Sequence, residues 1–186
     1  MKTKLSVLAF LIFVSCIAAV SQVNLLKNGD FEQSPIDGTK VRNFWTAGWY
    51  PQNAGAITTN DSRKGECGLW IYTDTGNSNV NVYQTVGCTP DTQYQATAFF
   101  RCPEDRTWTP GSEAWISVEF RDNDGIIIGE PLNSAKMTTH QVAWKQFSIP
   151  VRSPQNASKV TFRIKLTSGK GQSILNVDDC SIVKMQ

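Results

Sequence analysis

The sequence predicts an all-β fold, a two-sheet antiparallel β-sandwich of the jelly-roll type. Three observations lead there. Short windows rich in Thr, Val, Ile, Phe, Tyr and Trp recur along the chain, and these residues fit a pleated, half-buried surface. Clusters of Gly, Asn, Asp, Ser and Pro separate them. No stretch carries a sustained helical period, so nothing supplies the crossover helices of a parallel sheet.

In chain order the windows are 24–27, 68–74, 80–86, 93–101, 114–122, 126–129, 143–149, 159–166 and 173–184. Their punctuation is Gly-Asn-Ser-Asn at 76–79, Thr-Pro-Asp at 89–91, Asp-Asn-Asp-Gly at 122–125 and Ser-Gly-Lys-Gly at 168–171. The stretch 33–66 lacks regular alternation. It reads as surface loops, Trp-rich at 43–50, with a short strand near Ala56–Thr59. Long ordered loops on a sandwich are places where ligands are held. The chain shows no internal repeat and no low-complexity segment.

The first residues set the compartment. Lys2 and Lys4 precede the apolar run Leu5–Val14, and Ala19-Val20-Ser21 fits a small-x-small cleavage site. Residues 1–21 therefore read as a secretory signal, too short for a membrane span, with 22–186 as one domain. The rival reading is lipidation at Cys16. Either way the expectation is a secreted or cell-surface protein. No second apolar run is long enough to cross a bilayer. Without Lys2 and Lys4 the chain carries 16 basic and 16 acidic residues. A nucleic-acid binder would show a basic excess, so the expected partner is a neutral one. Asn60-Asp61-Ser62 and Asn156-Ala157-Ser158 are glycosylation sequons, relevant only if the source is eukaryotic.

Four cysteines remain, Cys67, Cys88, Cys102 and Cys180. An even count in an exported chain predicts two disulfides. Buried free thiols are the alternative. Three connectivities are open. If the segments around Trp70 and Val82 are antiparallel neighbours, Cys67 pairs with Cys88 and Cys102 with Cys180.

Alternation assigns faces. Ile116, Val118 and Phe120 read as core, and Trp115, Ser117, Glu119 and Arg121 as the opposite face. Val160, Phe162, Ile164 and Leu166 face in, while Thr161, Arg163 and Lys165 face out. Leu69 and Ile71 face in, Trp70 and Tyr72 out. Asp178 shares parity with Cys180 and Ile182, which puts a carboxylate on the core side, a costly place unless it is paired or binds a metal.

Several motifs stand in order. The domain opens with Asn24-Leu25-Leu26-Lys27-Asn28-Gly29-Asp30-Phe31-Glu32. The strand Val82-Tyr83-Gln84-Thr85-Val86 precedes a turn and Tyr94. Trp144-Lys145-Gln146-Phe147 follows, and the closing strand carries Val177-Asp178-Asp179-Cys180. Together they resemble secreted carbohydrate-binding modules with the galactose-binding-like jelly-roll fold, over most of residues 24–184. The four cysteines and the Trp-rich 43–50 stretch depart from that pattern. The resemblance implies non-catalytic binding of a polysaccharide or glycan. It also implies a structural Ca2+ held by Glu32 and Asp178 with carbonyls of the 62–66 turn, Lys64 among them. Asp30 is either a further ligand or an ordinary turn residue.

Sugars present C–H faces and hydroxyl edges, so their sites want aromatic platforms with polar groups at the rim. Trp115 is the leading candidate, since it alternates away from the core beside Glu119 and Arg121. Trp49, Tyr50 and Trp45 would roof that face, with Tyr83 and Arg163 beside it. Gln84 either hydrogen-bonds a sugar or ties strand ends. Glu119 and Arg121 are either ligand contacts or a surface ion pair of little worth. Trp144 reads as a packing residue, and Trp108 as a loop residue.

Enzyme readings find less support. His140 is the only histidine and reads as part of a connecting loop. No Gly-x-Ser-x-Gly elbow occurs. A protein-binding or adhesion sandwich and a small glycan-active enzyme remain as alternatives.

Overall fold

In Asn79–Gly87 and Gln93–Arg101 buried residues alternate with less buried ones, while Glu113–Arg121 and Ser173–Lys184 carry continuous buried runs, and these strands stack two sheets face to face. The computed structural model describes residues 22–33, 44–50, 55–59, 61–73, 79–169 and 171–186. The proposed signal segment 1–21 and Asn60 fall outside them. The strands are β1 (Thr46–Tyr50), β2 (Gly55–Thr59), β3 (Gly68–Thr73), β4 (Asn79–Gly87), β5 (Gln93–Arg101), β6 (Glu113–Arg121), β7 (Ile127–Asn133), β8 (Lys145–Arg152), β9 (Lys159–Thr167) and β10 (Ser173–Lys184). Sheet one runs β1-β4-β9-β6-β7 and sheet two β2-β3-β10-β5-β8, and the named pairs are all antiparallel. The fold class is the one the alternation predicts.

Between the sheets lie Val82, Ile116, Val118, Phe162 and Ile164 from sheet one, and Leu69, Ile71, Phe100, Val177 and Ile182 from sheet two, all fully buried. Each such side chain contributes about 1.5–3 kcal/mol of apolar transfer.

Three expectations change. First, the opening segment is not a strand. It makes one bridge, Asn24 to Val183, and then turns. The Asn24 side chain takes the amides of Leu26 (3.1 Å) and Ile182 (2.9 Å) and donates to the Cys180 carbonyl (3.0 Å). Such bonds compete with a regular ladder. The turn has a use: it drives Phe31 into the core against Trp45, centroids 5.3 Å apart. Gly29 lies so close to β10 that a Cβ there would stand 2.1 Å from the Cys180 carbonyl oxygen.

Second, Thr46–Tyr50 is not a loop but the edge strand β1, paired with β4.

Third, none of the four cysteines is in a disulfide. β3 and β4 belong to different sheets, so the assumed neighbours around Trp70 and Val82 do not exist. Cys102 stands one residue beyond the Arg101–Asn176 pair, whereas Cys180 lies at the far side of the irregularity between Asp178 and Ser181. Burial pushes all four thiols up, Cys102 to about 11.

Candidate functional site

The outer face of sheet one collects most of the candidate residues. Its rows follow from register. Lys165 is flanked by Asn81 and Trp115, Arg163 by Tyr83 and Ser117, Thr161 by Thr85 and Glu119, and Lys159 by Gly87 and Arg121. Their strand neighbours Val82, Ile116, Val118, Phe162 and Ile164 fill the core.

Arg163 organises the centre. Its guanidinium lies 4.6 Å from the Tyr83 ring centroid. It donates to Asn81 Oδ1 at 2.8 Å and to Glu119 Oε2 at 3.3 Å. Arg121 donates to the same Glu119 oxygen at 3.4 Å and to the Gly125 carbonyl at 2.9 Å. The Glu119–Arg121 pair is thus part of a network in which one carboxylate serves two arginines. Beside it runs an open groove of about 390 Å³, lined by Tyr83, Thr85, Thr161, Arg163, Arg121 and Lys159. Thr85 and Thr161 share a hydroxyl bond of 2.9 Å. A neighbouring hollow of about 400 Å³ also touches Thr85 and is lined by Phe44 and Lys27. Phe44 is 53% exposed, with Lys27 Nζ 5.3 Å from its ring centroid. Its φ of 76° is costly for a residue with a side chain. No periodicity marks Phe44, and sequence reasoning missed it.

Trp115 does face away from the core, as its parity predicts, but it is not an open platform. Only 9% of it is exposed. Lys136 and Lys165 cover the ring at 4.8 Å and 5.1 Å from its centroid, and its indole N–H donates to Asn133 Oδ1 at 3.1 Å. The basic side chains lay their apolar stems and charges over the ring. Gln84 leaves the ligand set as well. It is buried and ties the opening segment to β4, accepting from Lys27 N at 2.8 Å and donating to Lys27 O at 2.9 Å. Trp45 is 5% exposed and core-packed, its indole N–H donating to the Asn28 carbonyl at 2.9 Å. In β1, Trp49 pairs with Val80 and Tyr50 with Asn79; the side chains of both lie outside the described residues.

The metal candidates gather on sheet two. Asp178 is fully buried, but on the outer side rather than the core side. A β-bulge intervenes between Asp178 and Ser181, with Asp179 at φ 47°. The extra residue flips the parity, so Asp178 opposes Phe99 while Cys180 and Ile182 face the core. The 61–67 segment then covers it. Asp178 accepts from the amides of Arg63 (2.7 Å), Lys64 (3.2 Å) and Asp179 (2.7 Å). Glu32 accepts from Glu66 and Cys67 of the same turn, both at 2.9 Å. Gly65, at φ 73°, leaves room for it: a Cβ there would lie 2.3 Å from Glu32 Oε1. Burial pushes the Asp178 carboxyl up, against the pull of its three amides.

Two carboxylates thus converge on one turn. Among the described residues no group of three or more acidic, His or Cys side chains forms a metal cage. Asp30 is not with the pair; it lines a separate groove of about 520 Å³ with Arg63, Phe99 and Asp179. Lys64 contributes backbone only, its side chain being exposed. His140 lies exposed between β7 and β8, 3.2 Å from the Pro103 carbonyl. Trp144, expected to pack inside, lies under Arg101 on the outer side of sheet two, 4.9 Å from ring centroid to guanidinium.

No protein family and no curated protein matches the sequence. Solved structures do match the fold. The module TmCBM61, solved with β-1,4-galactotriose, superposes with a TM-score of 0.59 at 16% identity, over 88% of this chain and 99% of its own. The CBM22-1 xylan-binding domain of Paenibacillus barcinonensis Xyn10C gives 0.59 at 15% identity, over 91% of this chain and 99% of its own. The enzymatically active domain of tailspike protein 4 of bacteriophage CBA120 gives 0.69 at 14% identity over 87% of this chain, which spans only 21% of that one. The shared property is the β-sandwich fold, one used by carbohydrate-binding modules.

Proposed function

We propose that this protein binds carbohydrate on the outer face of sheet one and does not cleave it. The observation that carries this is the Tyr83–Arg163–Glu119 cluster beside an open groove. A ring, a guanidinium, a carboxylate and the exposed Thr85 hydroxyl on one sheet face offer a sugar both stacking and hydrogen bonds. The neighbours of near-equal length are binding modules, which supports the same reading. Phe44 extends the platform at one end. One carboxylate pair on this face does not suit cleavage. Glu113 and Glu119 are six residues apart along β6, about 20 Å, whereas glycosidase pairs lie within about 5–9.5 Å. Glu113 is also bound to Lys136 at 2.6 Å.

The test is a glycan array followed by titration calorimetry, with reducing-end release monitored. Saturable binding without release, lost in Tyr83→Ala, is the expected result. Product release selects the enzyme reading, and a silent array with a protein pull-down hit selects the adhesion reading.

We further propose that Ca2+ clamps Glu32 and Asp178. Their oxygen chemistry fits a hard cation, and each carboxylate retains acceptor capacity beyond its amide bonds. Carbonyls of the 62–66 turn, Lys64 included, would complete the shell. Bound, the ion would neutralise the buried Asp178 together with the exposed Glu32 and join the opening segment to β10. Chelation then lowers Tm. An unchanged Tm, with metal analysis confirming removal, shows that the amides alone hold the carboxylates. Export through residues 1–21 completes the proposal, checked by sequencing the N-terminus of secreted protein.

A further inference from the structure

The basic groups of this chain are not spread evenly. The groove on sheet one is lined by three cations, Arg121, Lys159 and Arg163, and by no carboxylate. Among the described residues Glu119 is the one acidic partner of both arginines. It neutralises one of them and leaves the other charge in excess. The Lys159 side chain is exposed, and its ammonium makes no hydrogen bond or ion pair among the described residues. Lys165 stands on the same face over Trp115, and Lys27 borders the adjoining hollow. Glu113, Glu130, Asp122 and Asp124 stand on sheet one or in its β6–β7 turn, but none of them lines the groove. Asp61, Asp178 and Asp179 cluster on the outer side of sheet two, and Glu32 of the opening segment accepts from the turn that covers it.

We infer that the ligand of this face is an acidic polysaccharide, one whose sugars carry carboxylate or sulfate groups. The inference rests on the carbohydrate reading above and specifies its chemistry. A guanidinium fork suits a planar carboxylate or a sulfate bidentately, and a groove lined by one sign of charge concentrates ions of the other. A neutral glycan would use Tyr83 and Thr85 but leave Lys159 and the arginine excess without a partner. The inference departs from the neutral partner that overall charge suggests, because net charge averages over both sheets and a ligand meets only one.

The experiment is calorimetric titration of the protein with two matched pairs. One is a polyuronate oligosaccharide in methyl-esterified and de-esterified form, the other a galactan in desulfated and sulfated form. The charged member of one pair is expected to bind about tenfold tighter than its partner, with the gap closing at high salt. The pair that shows it distinguishes carboxylate from sulfate. Lys159→Gln, at an exposed position, weakens the charged ligand about fivefold, and Arg121→Gln does likewise, with melting curves checking that both variants fold. Equal affinity within both pairs overturns the inference, and so does a single-stranded oligonucleotide that matches the best acidic glycan. Tyr83-dependent binding without charge preference overturns this inference alone. No binding of any member, with Tyr83→Ala without effect, removes the carbohydrate reading as well.

Discussion

The outer faces of the two sheets use the same materials to opposite ends. Both stack arginines on aromatic rings. On sheet two Arg63 lies 3.8 Å from the Phe99 centroid, Arg101 4.9 Å from Trp144 and Arg106 5.0 Å from Trp70. There Arg63 has Asp179 as a partner at 2.6 Å and Arg101 has Asp61, and the 61–67 segment seals Asp178 beneath. On sheet one Arg121 and Arg163 share the single carboxylate of Glu119, and the groove beside them stays open. An arginine matched to its own carboxylate has no charge to spare for a ligand. Arginines in excess over carboxylates on an open sheet are available to a ligand. The contrast lies in stoichiometry, not in residue type or exposure: the Arg163 and Glu119 side chains are 17% and 11% exposed, those of Arg101 and Asp61 25% and 35%.

The contrast breaks first at Asp178. Asp178→Ala strands three amide donors under the 61–67 segment, and unfolding stability should fall by about 3–4 kcal/mol. Urea denaturation measures that, while glycan affinity of the folded fraction stays unchanged. If Ca2+ binds there, the variant also loses its response to chelator. Affinity loss without stability loss would place the ligand on sheet two instead.

Arg163→Ala is the converse. It should cost about tenfold in glycan affinity and about 1–2 kcal/mol in stability, since its bonds to Asn81 and Glu119 are lost. Arg101→Ala, its counterpart on sheet two, should lower Tm and leave affinity unchanged. Identical behaviour of the two variants would abolish the distinction between the faces.

Trp115→Ala sharpens the boundary of the site. Because Lys136 and Lys165 already occupy its ring, the change should cost about 1–2 kcal/mol of stability and shift affinity by less than about threefold. Loss of nearly all binding would show that the lysines move aside for the ligand.

The smallest effect concerns the core that both sheets share. Burial, aided by Asp105, raises the Cys102 thiol from 9.0 to about 11. The folded state therefore keeps a proton that the unfolded chain releases. That contribution to stability is complete below pH 9.0 and is lost as pH rises toward about 11. Cys102→Ala should flatten this part of the stability profile. Thiol titration should find four reactive groups after denaturation without reductant, and far slower reaction in the native protein.

The alternation in β6 and β9 by itself determined which of Ile116, Phe162 and Ile164 face inward and that Trp115, Glu119 and Arg163 share the other side. Strand parity is local, a property of the pleat, so it can be read from the chain. Tertiary structure decided the rest. The bulge at Asp179 reversed the side on which Asp178 lies, because one inserted residue inverts parity and no residue pattern announced it. The assignment of β3 and β4 to different sheets separated the cysteines. Parity also says which way a side chain leaves the sheet, not what covers it. Trp115 under two lysines and Asp178 under the 61–67 segment are buried by residues remote in sequence. The same holds for charge: the total is written in the composition, but the three cations that line one groove come together only once the strands are paired.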